Sequence, residues 1–356
     1  MSPPVGLARP SKHRSMSRLD PLTDEVYYNT TSSTLRNSAL APATLKAYDT
    51  NVNRFLSFTR LPTLARLLCL SPVLIDQRLS EYIDVLFAER GSYHYASQTL
   101  FGLVFRCPPL RLHLGESRLR LRGWNRLREH RSHPPMTWEL AVLFAVTMSR
   151  WGRHAEAVAT LLAFDCLLRV GELTRICFHD VIVPGDPRLG SADAGMVVRL
   201  AKAKTGLNQS VALQNHQVAK VLHAYLLAHP FLANDRIFPF PPSAFRTLIR
   251  SVADALGLHG IPYVPHSLRH GGATYAFQRG ASIESIMFRG RWVSMESARR
   301  YIQTARALLI MLDIPVRVHQ MGMLFASSLS EVMEHLQVTI PAAGRADRRV
   351  WFRLHK

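Results

Sequence analysis

The segment from residue 265 to residue 303 concentrates side chains that could do chemistry on a phosphate group. It reads PHSLRHGGATYAFQRGASIESIMFRGRWVSMESARRYIQ and contains His266, Arg269, Trp292 and Tyr301. A phosphodiester is anionic, so a nucleophile attacks it slowly until the charge on its non-bridging oxygens is offset. Guanidinium groups suit that task because their planar forks donate paired hydrogen bonds to phosphate oxygens and stay charged at physiological pH.

Two earlier stretches contribute residues of related chemistry. Arg169 and Glu172 occur in LLRVGEL, and Lys204 occurs in AKTG between two runs rich in valine and leucine. Each residue also has an ordinary structural interpretation when it is taken alone. Arg169 could end a helix beside a capping glycine, and Lys204 could be a turn lysine that keeps the chain soluble. The case for chemistry therefore depends on the whole set.

The order and the intervals of these residues resemble those of the tyrosine recombinases, which are also called phage integrases. The set comprises Arg169, Glu172, Lys204, His266, Arg269, Trp292 and Tyr301. Arg269 lies three residues after His266 and 23 residues before Trp292, and Tyr301 follows Trp292 by nine residues. Agreement at all of these positions is much less credible as coincidence than as one active site.

The resemblance implies an enzyme that breaks and rejoins DNA strands, with Tyr301 as the nucleophile that forms a covalent phosphotyrosyl ester. A free phenol has a pKa of about 10, so the site must stabilise its anion or remove its proton during attack. His266 is the expected proton-transfer or phosphate-ordering partner. Arg169 and Arg269 are expected to bind the phosphate oxygens.

The remaining residues of the set receive supporting roles from the resemblance. The leaving 5′-oxygen needs a proton, which a lysine at a hairpin tip can supply. Lys204 is favoured over Lys202 because it abuts the Thr-Gly turn. Trp292 stands where many members of the family have a histidine, and its indole N–H can still donate to a phosphate oxygen. Glu172, three residues after Arg169, is expected to orient other groups of the site.

No metal and no nucleotide cofactor is expected. By the resemblance, the phosphotyrosyl bond keeps the energy of the broken phosphodiester, so a 5′-hydroxyl can reverse the step and rejoin the strands without ATP. The histidines show no His-Glu-x-x-His or comparable ligand spacing, and HGGAT lacks the Lys-Ser/Thr ending of a phosphate-binding loop. These patterns argue against a metal enzyme, a kinase or an ATPase.

The composition favours a folded protein that binds a polyanion. Of the 356 residues, 44 are lysine or arginine and 25 are aspartate or glutamate, which gives a formal net charge of +19. Nucleic acid is the commonest polyanionic partner, because each neutralised phosphate releases counterions. Charged residues interrupt the most apolar stretch, 138–168, so no membrane span is expected. The four cysteines are widely spaced, which favours reduced thiols in an intracellular protein.

Changes in composition and periodicity divide the chain into four segments. Residues 1–36 read as a basic, disordered leader, and residues 37–133 resemble the helical, SAM-like core-binding domain with which the family holds DNA. Residues 137–315 are expected to form the catalytic domain, and residues 316–356 a C-terminal helix with a basic tail. The expected fold class is mainly α: an all-α N-terminal domain and an α+β catalytic domain with one small β-sheet.

Local patterns predict where the elements lie and leave two questions open. Helices are predicted from about residue 41 and around 71–90, 93–106, 136–171, 215–228 and 243–257, with further helical patterns to about residue 311, and a β-hairpin is predicted around Lys204. The arginine-rich strip 106–133 is either a phosphate-facing surface or linker, or a solvated helix face. The segment from residue 316 either docks on a neighbouring protomer or folds back on its own domain.

Within the family, HSLRHGGATYAFQRGAS and GRWVSMESARRYI most resemble the recombinases of eukaryotic mobile elements of the Crypton and DIRS type. The resemblance implies double-stranded DNA as the partner, a homotetramer on paired sites, and a role in mobile-element integration or excision. Such a protein works with DNA inside the cell, in the nucleus if the host is eukaryotic. Two alternatives stay open: a DNA-binding protein that has lost catalysis, and a type IB topoisomerase, which shares the chemistry.

Overall fold

Two compact units make up the chain, the first ending at Arg131 and the second beginning at Ser132. The computed structural model describes residues 34–128, 133–186, 195–203 and 206–342. Within these ranges the fold is mainly α-helical, with one three-stranded sheet that lies in the second unit. The expected fold class is therefore confirmed.

The first unit is all-α over its described residues. Its helices are α1 (Thr34–Ser38), α2 (Pro42–Thr59), α3 (Leu64–Leu68), α4 (Pro72–Ala88), α5 (Tyr93–Arg106) and α6 (Gly115–Leu127). The helix that was predicted from apolar spacing is α2, where Val52 and Phe55 are buried in the core of this unit. Helix α1 overlaps the end of the predicted leader, and residues 1–33 of that leader lie outside the described residues.

A buried carboxylate fixes the start of the arginine-rich helix α6. Asp76, on α4, accepts hydrogen bonds from the backbone N–H groups of Glu116 and Ser117, each at 2.9 Å. These are N–H groups of the first turn, which have no acceptor within the helix itself. The arginine-rich strip is therefore part of the folded unit over its described residues, and it exposes Arg122 and Arg126.

The second unit is built on two helices that are buried on nearly every side, α7 (Trp138–Arg150) and α8 (His154–Asp165). The other helices are α9 (Val170–Leu173), α10 (His216–Leu227), α11 (Pro242–Ala255), α12 (Pro265–Gln278), α13 (Ile283–Gly290), α14 (Met295–Arg299), α15 (Thr304–Leu312), α16 (Val316–Ser327) and α17 (Leu329–Thr339). The broad apolar faces predicted for this region are confirmed. Among the described residues, no helix is both long enough and apolar enough to cross a membrane.

The sheet contains the predicted β-hairpin. Its strands β1 (Val181–Ile182), β2 (Val197–Ala203) and β3 (Gly206–Ala212) are antiparallel and lie in chain order. The pairing of β2 with β3 runs from Val197 opposite Ala212 to Ala203 opposite Gly206. Lys204 falls between the paired strands in the chain, but it lies outside the described residues.

The two C-terminal helices pack on the core of their own unit. Leu329 is fully buried in that core. Gly322 lies so close to α7 that a Cβ atom there would be 2.7 Å from the backbone oxygen of Glu139. Of the two arrangements considered for the segment from residue 316, the structure therefore has the one that folds back, as far as residue 342. The basic residues 343–356 lie outside the described residues.

Two adjacent glycines allow α12 to approach the core closely. A Cβ atom on Gly271 would lie 1.8 Å from the backbone oxygen of Met136, and one on Gly272 would lie 2.1 Å from that of Phe164. A side chain at either position would push α12 away from α8 and from the segment that leads into α7. Because α12 carries two residues of the predicted site, these glycines set how close that site lies to the core.

Candidate active site

Four segments of the second unit meet at one place and bring most of the predicted residues together. The loop after α8 provides Arg169, and the beginning of α12 provides His266 and Arg269. The loop after α13 provides Trp292, and the turn between α14 and α15 provides Tyr301. Ring contacts and a hydrogen bond join the last four, and the charge of Arg169 acts on both residues of α12.

The phenol of Tyr301 is held beside an imidazole. Its hydroxyl oxygen is 3.0 Å from Nε2 of His266. The Oγ1 of Thr274 donates to the carbonyl oxygen of Tyr301 at 3.2 Å and accepts from the N–H of Gln303 at 3.0 Å. The turn that carries the phenol is therefore tied to α12, the helix that carries its imidazole partner.

A second imidazole, that of His270, lies against the same phenol. The rings of His270 and Tyr301 stack with their centroids 4.5 Å apart and an interplanar angle of 22°. The His266 ring meets the phenol at 5.2 Å with an angle of 63°. The amide nitrogen of Gln303 is 3.2 Å from Nδ1 of His270. Since that amide is a donor, Nδ1 of His270 is the acceptor.

Burial keeps both histidines neutral. Burial, followed by the positive charge of Arg269, lowers the pKa of His266 to about 4. Burial, followed by the neighbouring His266, lowers the pKa of His270 to about 3. Both imidazoles are uncharged at pH 7, so Nε2 of His266 can accept the phenolic hydrogen when Nδ1 carries the ring proton.

Arg269 is fully buried beneath the two aromatic rings of the site. Its guanidinium carbon lies 4.5 Å from the ring centroid of Trp292 and 5.3 Å from that of Tyr301. Its two terminal nitrogens donate to the carbonyl oxygens of Leu167 and Gly290. Its Nε has no hydrogen-bond partner among the described residues. The backbone therefore holds Arg269, the residue predicted to bind the phosphate, in place.

Trp292 forms a wall of the site. Its side chain is buried, and its ring lies 4.5 Å from that of Tyr301. Gly290 makes room for the indole, because a Cβ atom there would be 1.9 Å from the six-membered ring. Within the described residues the indole Nε1 has no acceptor. Trp292 therefore packs against the phenol and keeps one buried donor unsatisfied.

Glu172 joins two arginines at the edge of the site. Its Oε1 accepts from Nη1 of Arg169 at 2.6 Å, and its Oε2 accepts from Nη2 of Arg291 at 2.9 Å. Burial acts to raise the pKa of this carboxyl, but the charge of Arg291 and the hydrogen bonds from Arg169 outweigh burial and lower it. Burial, then the charge of Arg169, lower the pKa of Arg269 to about 9, so Arg269 stays charged at pH 7.

The sequence indicated His270 only as a DNA-facing or structural neighbour of the site, and it did not indicate Arg291. Arg291 directly precedes Trp292 in the GRW motif, but its partner Glu172 lies 119 residues earlier in the chain. The family motifs placed Glu172 near Trp292, but they gave no role to Arg291. The one signal for His270 was its place directly after Arg269 in HSLRH.

The chain is similar to one family of known proteins. The model of the phage integrase family matches residues 147–307. Two structures of a lambda integrase dimer bound to a COC′ core site match 79% of this chain at 14% identity. One is matched over 95% of its length with a TM-score of 0.55, and the other over 77% with a TM-score of 0.54. A Tn1549 transposon integrase in complex with circular intermediate DNA matches at 12% identity over 66% of this chain and 84% of its own, with a TM-score of 0.45. No curated protein sequence matches the chain.

The lambda integrase structures establish the fold. The model of the phage integrase family, also called the tyrosine recombinases, matches residues 147–307, so this part of the chain is a tyrosine recombinase domain. The matched residues span the predicted set from Arg169 to Tyr301. The resemblance drawn from the motifs is therefore confirmed for the family, while the role of each residue remains a prediction.

The lowered histidine pKa values predict that acid destabilises the second unit. An unfolded histidine titrates near its ordinary pKa of about 6.5, so a histidine with a lower folded pKa contributes stability above that pH and loses it as the pH falls. Replacing His270 by glutamine should therefore reduce the fall in unfolding free energy between pH 8 and pH 5 by roughly 1 to 2 kcal/mol.

Urea denaturation at the two pH values measures this difference. The exposed His223 provides the control substitution His223→Gln, which removes an imidazole without removing a buried one. If wild-type protein and His270→Gln lose the same unfolding free energy on acidification, the burial of a neutral His270 is contradicted.

Proposed function

We propose that the chain is a site-specific DNA recombinase that cleaves and rejoins strands through a covalent 3′-phosphotyrosyl bond at Tyr301. The observation that carries this proposal is the position of the phenol. Its oxygen is 3.0 Å from Nε2 of a neutral His266, and its ring is 5.3 Å from the buried guanidinium of Arg269. A nucleophile, a proton acceptor and a fixed positive charge thus adjoin one another, as nucleophilic attack on an anion requires.

The scissile phosphate would be held by the two arginines of the predicted set together with Trp292. The Nε of Arg269 and the Nε1 of Trp292 are buried donors with no acceptor among the described residues. Leaving a buried donor unsatisfied costs about 1–3 kcal/mol, and phosphate oxygens would satisfy both. Arg169 is partly exposed, with 21% of its side chain accessible to solvent, so it can reach a phosphate that arrives from solution.

Cleavage replaces one phosphorus–oxygen bond by another. The Tyr301 oxygen bonds to phosphorus, and the bond from phosphorus to the 5′-oxygen breaks. The phenolic proton passes to Nε2 of His266, and Lys204 supplies a proton to the leaving 5′-oxygen. Arg169 and Arg269 offset the negative charge that builds up on the non-bridging oxygens. When a 5′-hydroxyl of another strand attacks the phosphotyrosine, the same steps in reverse rejoin the DNA without ATP.

Double-stranded DNA is the proposed partner, and dispersed positive charge supplies most of the affinity. The net charge of +19 and the exposed arginines Arg122 and Arg126 on α6 support this assignment. The lambda integrase structures that share the fold are dimers bound to a DNA core site. We extend the proposal to a homotetramer on paired sites inside the cell, with the integration or excision of a mobile element as its role.

Tyr301→Phe should abolish formation of the covalent adduct, because it removes the nucleophilic oxygen and keeps the ring. Nicked suicide duplexes that tile the DNA flanking the gene would trap the intermediate, since the short cleaved fragment diffuses away. Wild-type protein should then give a DNA adduct on a denaturing gel. Tyr275→Phe is the matched control, because Tyr275 lies on α12 and its hydroxyl contacts Arg279 at 3.2 Å outside the site.

Two other outcomes would redirect the assignment. Wild-type protein that gives no more adduct than Tyr301→Phe would overturn the enzyme and leave a DNA-binding protein that has lost catalysis. Adduct formation with relaxation of supercoiled plasmid, but without joining of two sites, would favour a type IB topoisomerase.

Lys204→Ala should slow cleavage about 100-fold, the lower range for loss of a general acid. A second substrate has sulfur in place of the bridging 5′-oxygen, and a thiolate leaves without a proton. If Lys204 protonates the leaving oxygen, Lys204→Ala should cleave this substrate at nearly the wild-type rate. Lys202→Ala is the matched control and should slow neither reaction. The assignment would be refuted if Lys204→Ala cleaved both substrates equally slowly. It would also be refuted if Lys202→Ala were the variant whose slow cleavage the sulfur substrate restores.

A further inference from the structure

Arg291 occupies a backbone conformation that its side chain does not favour. It ends α13 with φ 55° and ψ 43°, in the left-handed region that glycine adopts most readily. A non-glycine residue there is strained, and such strain persists only where the surrounding structure compensates for it. The contacts of the Arg291 side chain supply that compensation.

The guanidinium of Arg291 is buried and donates to four acceptors. Nη1 donates to the carbonyl oxygens of Arg289 at 2.9 Å and Cys166 at 3.4 Å. Nη2 donates to the carbonyl oxygen of Leu167 at 3.1 Å and to Oε2 of Glu172 at 2.9 Å. One planar group thus bridges the loop after α8, the end of α13 and the acidic residue of α9.

Arg291 shares two of these acceptors with the arginines assigned to the phosphate. The other oxygen of Glu172 accepts from Arg169 at 2.6 Å. The carbonyl oxygen of Leu167 also accepts from Arg269. Leu167 is itself left-handed, with φ 51°, so it is a second strained position next to the same contact. Arg291 therefore links Glu172, which holds Arg169, to the Leu167 carbonyl, which holds Arg269.

We infer that Arg291 is a positioning residue that sets the spacing of Arg169 and Arg269 by holding Glu172 and the Leu167 carbonyl at the same time. This inference rests on the proposed function, because the spacing matters only if both arginines bind one phosphate. Arg291 also takes up part of the negative charge of Glu172. Without it, that carboxylate would pair with Arg169 alone and compete with the phosphate for its donors.

The chain provides a matched control for a test by substitution. Arg60 ends α2 in the same left-handed conformation, with φ 56°, but it is exposed. Glycine at either position relieves the backbone and removes one positive charge, whereas Arg291→Gly alone removes the contacts to Glu172 and Leu167. We expect Arg291→Gly to unfold at a temperature roughly 5 °C or more below that of Arg60→Gly.

Cleavage rates then separate positioning from folding. At saturating DNA, Arg291→Gly should form the adduct about 100-fold more slowly than Arg60→Gly, since misplacement by about 1 Å can cost that much. Its Kd for the duplex should stay within about threefold of wild type, because dispersed contacts dominate affinity. Arg291→Lys keeps the charge but not the planar fork, so its rate should lie between those of Arg291→Gly and the wild type.

A neutral linkage at the cleavage position shows whether the effect of Arg291 on the rate depends on the charge of the scissile phosphate. A methylphosphonate at the cleavage position replaces one charged non-bridging oxygen by a methyl group, so it needs less help from the arginines. On it the deficit of Arg291→Gly should shrink by about tenfold, given that charge offset is the function being lost. A merely structural defect would slow both substrates equally.

Each arm can overturn the inference. Equal adduct rates for the two glycine variants, or an equal deficit on both substrates, would refute the positioning role. Equal unfolding temperatures would refute the bridging contacts themselves, and that measurement does not depend on catalysis. Absence of any adduct from wild-type protein would instead count against the proposed function.

Discussion

Repulsion between guanidinium groups is the constraint on which the rest of the site depends. After burial, the charges of Arg169 and Arg291 are the next causes that lower the pKa of Arg269. Glu172 and the carbonyl oxygens of Leu167, Cys166 and Gly290 offset that repulsion. These acceptors hold the cations in place before any phosphate arrives, and such preorganisation is the usual source of electrostatic catalysis.

Burial, aided by the same excess of positive charge, keeps the His266 imidazole neutral. Burial and the charge of Arg269 together disfavour protonation of His266. A neutral ring with Nε2 at 3.0 Å from the phenol can accept its proton, whereas a charged ring has no free lone pair. The arginine proposed to bind the phosphate therefore adds to burial in keeping the proposed base in its reactive form. Packing of α12 against the core through its glycine pair makes both effects possible.

Short-range patterns carried most of what could be predicted from the sequence. His266 and Arg269 lie one turn apart on α12, so their neighbourhood follows from the motif, and the helices of the first unit follow from apolar spacing. The bond from Arg291 to Glu172 could not be predicted, because the motifs that bring their two segments together give no role to Arg291. The complete burial of Arg269 could not be predicted either, because arginine is seldom fully buried and the carbonyl partners of Arg269 come from other segments.

A crystal structure on nicked duplex DNA, with orthovanadate in place of the scissile phosphate, would measure directly whether these residues surround one phosphorus position. We predict that the Tyr301 oxygen is bonded to vanadium and that nitrogens of Arg169 and Arg269 lie within about 3 Å of vanadate oxygens. A vanadate complex in which the phenol lies away from vanadium, or in which either guanidinium is out of reach of its oxygens, would contradict the shared site.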